Sequence, residues 1–185
     1  MPTTPVRHRF TVEEYHKIGE AQVLQERTEL IAGEILEMSP IGLLHAACVS
    51  YLSRFFLLRL PAIADVRSQN PIVLDNLSEP QTDLAIVNYC DDFYKGGHPT
   101  PKDILLLIEV SDATLKFDRE VKIPLYAASG ISEVWIVNLL DQIIEVYRHP
   151  EAHSYQTIQQ YQQGEILSIL ALEGITVSVN EIFRF

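Results

Sequence analysis

Two acidic residues stand in places where carboxylates are rarely put without a purpose. Glu109 lies near the end of the apolar segment ILLLIEV, and Asp83 opens a second apolar segment, residues 83–87. Burying a charge is costly unless something pairs with it. Two carboxylates about 4 Å apart would also repel by roughly 4 kcal/mol at an effective dielectric near 20. A divalent cation removes that conflict, and oxygen ligands suit Mg²⁺ or Mn²⁺.

Each of these residues also has an ordinary explanation. Glu109 could pair with a nearby Lys or Arg, and Asp83 could cap a turn. Lys122 follows Asp118 by four residues on a predicted helix. That spacing is typical of a surface ion pair worth a few tenths of a kcal/mol. Spacing alone therefore leaves the metal site and the ordinary explanation both open.

The hydrophobic pattern predicts the elements that would position these residues. A capping box starts a short helix at Thr11, a hairpin over residues 28–38 turns at Ala32 and Gly33, and a longer helix covers residues 43–60. In chain order, the other predicted elements are short strands at 66–68, 71–74 and 84–87, a strand at 104–110, a loop at 88–103, a helix at 119–129, strands at 134–137 and 143–147, and a hairpin at 154–168 turning at Gln163 and Gly164. This order indicates an α/β domain with a mixed sheet.

The composition is that of an ordinary globular protein. The chain has 185 residues, of which 47% are hydrophobic and 21% charged, and we expect one domain over residues 1–185. Its apolar runs fall far short of the 18 or so residues that a membrane span needs, so we expect no membrane partner. The N-terminus lacks the apolar core of a secretory signal, and Cys48 and Cys90 are the only cysteines. A cytoplasmic location fits best.

The net charge bears on the partners of the protein. Fourteen Lys and Arg residues against 25 Asp and Glu residues give −11 with histidines neutral. Such a charge repels polyanions at long range, so any contact with nucleic acid must be local or cation-assisted.

One long segment, IEVSDATLKFDREVKIPLYAASGISEVWIVNL, carries a resemblance, together with TELIAGEILEMSP, His45, QTDLAIV and NEIF. The chain resembles the Uma-two endonuclease-like family of the PD-(D/E)xK nuclease superfamily over nearly its whole length. The resemblance implies a restriction endonuclease-like fold, in which helices flank a mixed β-sheet and extra β-hairpins stand at both ends of the chain. It also implies a Mg²⁺-dependent DNA endonuclease, and nucleases of this fold commonly form homodimers.

The resemblance assigns roles to particular residues. Asp83 would be the first acid of the motif and Glu109 the second, and together with the Val110 carbonyl they would hold one Mg²⁺ or Mn²⁺ ion. The superfamily usually places a lysine two residues after the second acid, where this chain has Ser111. In families like this one the lysine moves to the following helix, which makes Lys122 the candidate for orienting the attacking water.

Several further residues could belong to such a site. Glu34 could add a carboxylate for a second metal or position the lysine, or it could face solvent. Glu29 could simply face water, and His45 could cap or pack the long helix or act as a base. Thr82 stands where the motif's proline is expected, and Asn138 stands where many relatives carry aspartate.

Three functional hypotheses remain at this point. The first is a Mg²⁺-dependent DNA endonuclease that hydrolyses phosphodiester bonds. The second is a non-catalytic module for protein interaction or nucleic-acid association that retains the nuclease fold, which the acidic charge favours. The third is hydrolysis of another phosphodiester, such as RNA or a small nucleotide, which the acidic surface disfavours less.

Overall fold

The computed structural model describes residues 6–24 and 27–184. Its helices are α1 (Val12–Glu20), α2 (Leu43–Leu57), α3 (Leu115–Phe117), α4 (Ile123–Ala128) and α5 (Val179–Ile182), with a 3-10 turn at Pro101–Asp103 and a π-helical turn at Asp118–Lys122 between α3 and α4. Its strands are β1 (Thr28–Ile31), β2 (Glu34–Glu37), β3 (Ala64–Ser68), β4 (Leu84–Asn88), β5 (Ile104–Ser111), β6 (Glu133–Asn138), β7 (Ile143–Glu151), β8 (Ser154–Tyr161), β9 (Ile166–Ile169) and β10 (Leu172–Ser178).

The centre of the molecule is a six-stranded sheet in the order β3-β4-β5-β6-β7-β8. Strands β5 and β6 run parallel, because the helical segment α3, π turn and α4 crosses over between them. The other neighbouring pairs in this sheet are antiparallel. Hairpins β1–β2 and β9–β10 form separate two-stranded sheets. The predicted fold class, a mixed sheet flanked by helices, is confirmed.

The two faces of the sheet are covered by different helices. On one face Ile108 packs in a cluster with Leu52 and Phe56 of α2. On the other face Leu107 packs in a second cluster that includes Tyr126 of α4. Successive side chains of a strand point to opposite faces. Glu109 therefore shares the face of Leu107 and lies under α4.

Two local predictions from the sequence are wrong. The predicted hairpin over residues 154–168 does not form, because β8 pairs with β7 and β9 pairs with β10. Gly164 does supply a turn, with φ +94°, but the strands on its two sides go to different sheets. Residues 71–74 form no regular strand. Pro71 makes an isolated bridge to Gln81, and the Ile72 and Leu74 amides donate to the Pro80 and Ser78 carbonyls. Proline has no amide hydrogen to give to a strand ladder.

The predicted hairpin over residues 28–38 is confirmed, with Ala32 and Gly33 in its turn at φ +50° and +81°. Among the described residues, none of the helices is long and apolar enough to cross a bilayer.

Candidate active site

The start of β4 and the end of β5 meet at one point, because these neighbouring strands are antiparallel. Asp83 directly precedes β4, and Glu109 lies near the end of β5. The Asp83 amide N–H donates to Glu109 Oε2 at 3.4 Å, and the Val110 amide N–H donates to Asp83 Oδ2 at 2.9 Å. The structure thus brings the two acids that the sequence singled out into one cluster.

The backbone of Val110 contributes to the same place. The amide and carbonyl of one strand residue point to the same side of the strand. Because the Val110 amide reaches Asp83, the Val110 carbonyl faces that side as well. The two acidic side chains and the Val110 backbone therefore lie on the same side of this end of β5.

Lys122 reaches this cluster from the π turn. Its side chain is only 7% exposed, and its Nζ lies 3.4 Å from Glu109 Oε1 and 3.3 Å from Glu29 Oε2. The same ammonium donates to the Gln81 carbonyl at 3.2 Å. Ser111, at the position where the resemblance would place the motif's lysine, instead donates its hydroxyl to Asp118 at 2.7 Å.

Glu29 is part of this cluster, although its strand position left open that it faces water. It is buried on β1, pairs with Lys122 and accepts the Gln81 N–H at 3.1 Å. The neighbouring Leu30 and Ile31 are buried too. When both faces of a strand are covered, alternation no longer separates inside from outside positions. Glu29 therefore does not face water, which its strand position had left open.

Glu34 lies outside the cluster. Its side chain on β2 is 64% exposed, and it pairs at 3.8 Å with Arg7, which is also exposed. The structure does not bring Glu34 together with Asp83, Glu109 or Lys122. Glu34 faces solvent, which was one of the two alternatives for this residue.

His45, in the first turn of α2, lies against the first acid. Its Nε2 is 3.1 Å from Asp83 Oδ2. Burial acts to lower the pKa of His45, but the hydrogen bond and the charge of Asp83 hold that pKa above its ordinary value. The His45 Nδ1 and the hydroxyl of Thr82 are buried and find no hydrogen-bond partner within the described part of the chain.

Tyr126 and Asp118 are site neighbours that sequence reasoning did not identify as functional. The Tyr126 hydroxyl donates a short hydrogen bond to Glu109 Oε1. Tyr126 follows Lys122 by four residues, and residues four apart share a helix face. This spacing was the sequence signal that could have placed Tyr126 at the site. Asp118 accepts the hydroxyls of Ser111 and Thr114, and burial raises its pKa.

The electrostatics of the cluster are unbalanced. Burial raises the pKa of Glu109 to about 8, with the Asp83 carboxylate adding to the rise and Lys122 opposing it. Burial alone would lower the pKa of Lys122, but Glu109 and Glu29 outweigh it and keep that pKa above its ordinary value. One ammonium therefore faces three carboxylates, those of Glu29, Asp83 and Glu109.

A cation fits this imbalance, with a sparse set of protein ligands. Across residues 6–24 and 27–184, no group of three or more His, Cys, Asp and Glu side chains is arranged to hold a metal ion. A cation here would take Asp83, Glu109 and the Val110 carbonyl, and water for its other positions. Mg²⁺ commonly binds in this way, through one or two carboxylates and several waters.

The cluster lies at the bottom of an open cavity of about 620 Å³, a volume in the range of small-molecule sites. The wall on the side of hairpin β1–β2 includes Leu36, Met38 and Ile41, whereas Arg27 supplies a positive charge. The cavity thus combines an apolar wall with an acidic floor.

Comparisons with known proteins agree with this architecture. A family model described as "Uma2: Putative restriction endonuclease" matches residues 12–180. A crystal structure described as that of "a putative nuclease belonging to DUF820 from Anabaena variabilis" is similar, with a TM-score of 0.71 and 16% sequence identity over 97% of this chain and 98% of that one. At this identity the likeness concerns the fold. No curated protein matches the chain significantly.

Proposed function

Because the chain belongs to the Uma2 family of restriction endonuclease-like proteins, we propose that it is a metal-dependent DNA endonuclease of the PD-(D/E)xK type. The observation that supports this proposal most strongly is the meeting of Asp83 and Glu109 beside the buried ammonium of Lys122. The reaction would be hydrolysis of a phosphodiester bond.

Restriction endonuclease-like families generally use divalent metals. In this chain Asp83, Glu109 and the Val110 carbonyl would hold the ion, Mg²⁺ or Mn²⁺. When bound, such an ion polarises a phosphoryl oxygen and lowers the pKa of a water molecule. The excess of carboxylates over ammonium groups in the cluster supports this assignment.

The chain's own residues would position the reactants. The Tyr126 hydroxyl and the Asp83 amide both donate to Glu109 and fix the orientation of its carboxylate. His45 and the Val110 amide do the same for Asp83. The Lys122 ammonium would orient the attacking water and stabilise the negative charge that develops on the phosphate.

DNA would meet the protein mainly at the cavity, because the net charge of −11 opposes broad contact with the duplex. Arg27 offers a local contact for a phosphate at the cavity wall. The proposal includes a homodimer, by analogy with nucleases of this fold. It also includes a cytoplasmic location, which the unpaired cysteines Cys48 and Cys90 favour.

Cleavage assays with isosteric variants test the proposal. Supercoiled plasmid and single-stranded DNA would be incubated with the protein in Mg²⁺ and in Mn²⁺. We expect Asp83→Asn and Glu109→Gln each to lower the cleavage rate by about a hundredfold or more. Glu120→Gln is the matched control, because Glu120 is exposed and, among the residues that the structure describes, its ion-pair partner is Lys116, at 3.9 Å. Equal rates in the wild type and both site variants would refute the proposal.

Calorimetry separates the nuclease from the non-catalytic module that the acidic charge favours. We expect Mn²⁺ to bind the wild type with a stoichiometry near one, and Asp83→Asn to abolish most of that affinity. Binding that does not depend on Asp83, together with absent cleavage, would favour the non-catalytic module. Cleavage of RNA in place of DNA would change the proposed substrate but leave the proposed catalytic residues unchanged.

A further inference from the structure

The Lys122 ammonium is enclosed by oxygen atoms. An ammonium group carries three N–H bonds, and three oxygen atoms lie close to this one. They are Gln81 O at 3.2 Å, Glu29 Oε2 at 3.3 Å and Glu109 Oε1 at 3.4 Å. Gln81 O and Glu109 Oε1 accept hydrogen bonds from Lys122, and Glu29 Oε2 is its ion-pair partner. To turn toward a water in the proposed reaction, the ammonium would have to move away from one of these three oxygens.

Glu109 is the acceptor best placed to release Lys122. Its carboxylate already accepts the Tyr126 hydroxyl and the Asp83 amide, and it is a ligand in the proposed metal site. With an ion held there, Glu109 would attract Lys122 less strongly, because part of the carboxylate charge would be compensated. The Lys122 N–H released from Glu109 would then be able to donate to a water molecule.

Glu29 stays with Lys122 in that event. It is not among the proposed metal ligands, and its Oε2 also accepts the Gln81 N–H at 3.1 Å. Gln81 thus donates its amide to Glu29 and accepts Lys122 with its carbonyl. Glu29, Gln81 and Lys122 thus form a closed ring of contacts, and Gln81 precedes Asp83 by two residues.

The strand that carries Glu29 is fixed to the same segment. The Leu30 amide donates to the Glu79 carbonyl at 3.3 Å, and the Glu79 amide donates to the Leu30 carbonyl at 2.8 Å. Hairpin β1–β2 is therefore joined by backbone hydrogen bonds to the segment that leads into Asp83. The position of Glu29 relative to the site does not depend on a flexible loop.

We propose that Glu29 is a positioning residue of this site, which keeps the Lys122 ammonium beside Asp83 and Glu109 when Glu109 binds a cation. The proposal rests on the proposed nuclease function. It gives hairpin β1–β2 a part in the reaction, since neither the central sheet nor the crossover helix supplies this carboxylate.

The alternative is an ion pair that only stabilises the fold. Buried ion pairs contribute little to stability against a well-packed replacement. A purely structural pair would lower the thermal midpoint when it is broken, without changing the rate of a folded enzyme. The two alternatives therefore differ in measurements made on folded protein.

The first experiment measures the reactivity of the Lys122 amine and needs no enzymatic activity. Wild type, Glu29→Gln and Glu120→Gln would be labelled with trace acetic anhydride, with and without Mn²⁺, and acetylation of Lys122 quantified by mass spectrometry. We expect Glu29→Gln to raise the labelling rate about fivefold or more, because the ammonium loses one of its two anionic partners. The control Glu120→Gln should match the wild type. Unchanged labelling in Glu29→Gln would overturn the proposal.

The second experiment measures kinetics on DNA and Mn²⁺ affinity. We expect Glu29→Gln to lower kcat by about tenfold or more, with KM and the Mn²⁺ dissociation constant nearly unchanged. Glu29→Asp retains the charge and should recover part of kcat; it also serves as the variant to use if Glu29→Gln does not fold. Wild-type kcat in folded Glu29→Gln would overturn the proposal. If the wild type cleaves nothing, the nuclease function fails, whereas the labelling result still shows whether Glu29 holds the Lys122 ammonium in place.

Discussion

Glu109 is buried between the Lys122 ammonium and the Tyr126 hydroxyl, and this environment determines how it can bind a metal. Burial raises its pKa to about 8, and Asp83 adds to the rise. In the metal-free protein the carboxyl therefore holds a proton up to a higher pH than an ordinary glutamate does. A cation must displace that proton, because metal ligands bind in their deprotonated form.

This displacement predicts a pH dependence of metal binding. Below about pH 8 the association constant for Mn²⁺ should rise with pH, approaching tenfold per unit, because each binding event releases a proton from Glu109. Above about pH 8 the affinity should level off. Calorimetry in two buffers of different ionisation enthalpy would count the protons, with a value near one at pH 6.5 and near zero at pH 9. An affinity that is constant from pH 6 to pH 9 would contradict the assignment of Glu109.

The sequence indicated some of these residues and not others, for physical reasons. Asp83 and Glu109 stood out because carboxylates are costly within apolar strands. Lys122 followed only from the family resemblance, since its spacing from Asp118 fits a surface pair equally well. Glu29 and Tyr126 owe their places to tertiary packing, which no local pattern records.

The π turn at Asp118–Lys122 is the element that presents the lysine. The Ile123 amide bonds to the Asp118 carbonyl, five residues back. Within this wider turn both Asp118 and Lys122 are buried. The sequence predicted a regular helix over residues 119–129, because a pattern read at 3.6 residues per turn does not show an extra residue. Such turns are frequent at functional sites.

Hairpin β1–β2 depends on Gly33, which adopts φ +81°. A Cβ atom there would lie 2.6 Å from Arg9 Cβ, and the Gly33 amide and carbonyl are bonded to Leu77 and Phe10. Gly164 has a similar φ of +94° but open space around it. Comparing alanine at these two positions separates backbone strain from close packing.

We expect Gly33→Ala to lower the thermal midpoint more than Gly164→Ala does. Both variants strain the backbone, but only the first forces Arg9 and the hairpin apart. The extra loss should be at least about 1 kcal/mol, or 2–4 °C in a domain of this size. Scanning calorimetry of the two variants measures it. Equal decreases of the thermal midpoint in the two variants would show that the segment around Arg9 moves aside without loss of stability.

The hairpin predicted at residues 154–168 does not form, and this error also has a non-local cause. Gln163 and Gly164 were correctly placed in a turn, because glycine supplies the positive φ that the turn needs. The partners of β8 and β9 depend on which sheet each strand joins, and that is a non-local choice. A local pattern predicts where a chain turns better than it predicts what pairs after the turn.

At the scale of the whole molecule, the site and the net charge act against each other. A nuclease must approach a polyanion, yet this chain carries −11 and places three carboxylates at the bottom of its cavity. Proteins that hold DNA through many Lys and Arg contacts release counterions on binding. Their affinity then falls steeply with salt. Among the described residues that line the cavity, the basic ones are Arg27, His45 and Lys122, which are too few for that mode of binding.

The salt dependence of cleavage should therefore be shallow. A protein with 6–10 phosphate contacts loses about 10³–10⁵ in affinity between roughly 50 and 200 mM salt. For this protein we expect KM for plasmid DNA, at fixed Mg²⁺, to change by less than about threefold over that range, because added salt also screens the repulsion between the acidic surface and DNA. Rates on bis(p-nitrophenyl) phosphate, which carries one charge, provide the control for effects of salt on the chemical step. A KM that rises by orders of magnitude for DNA alone would reveal an extended phosphate-binding surface, and DNA would then contact much more of the protein than its cavity.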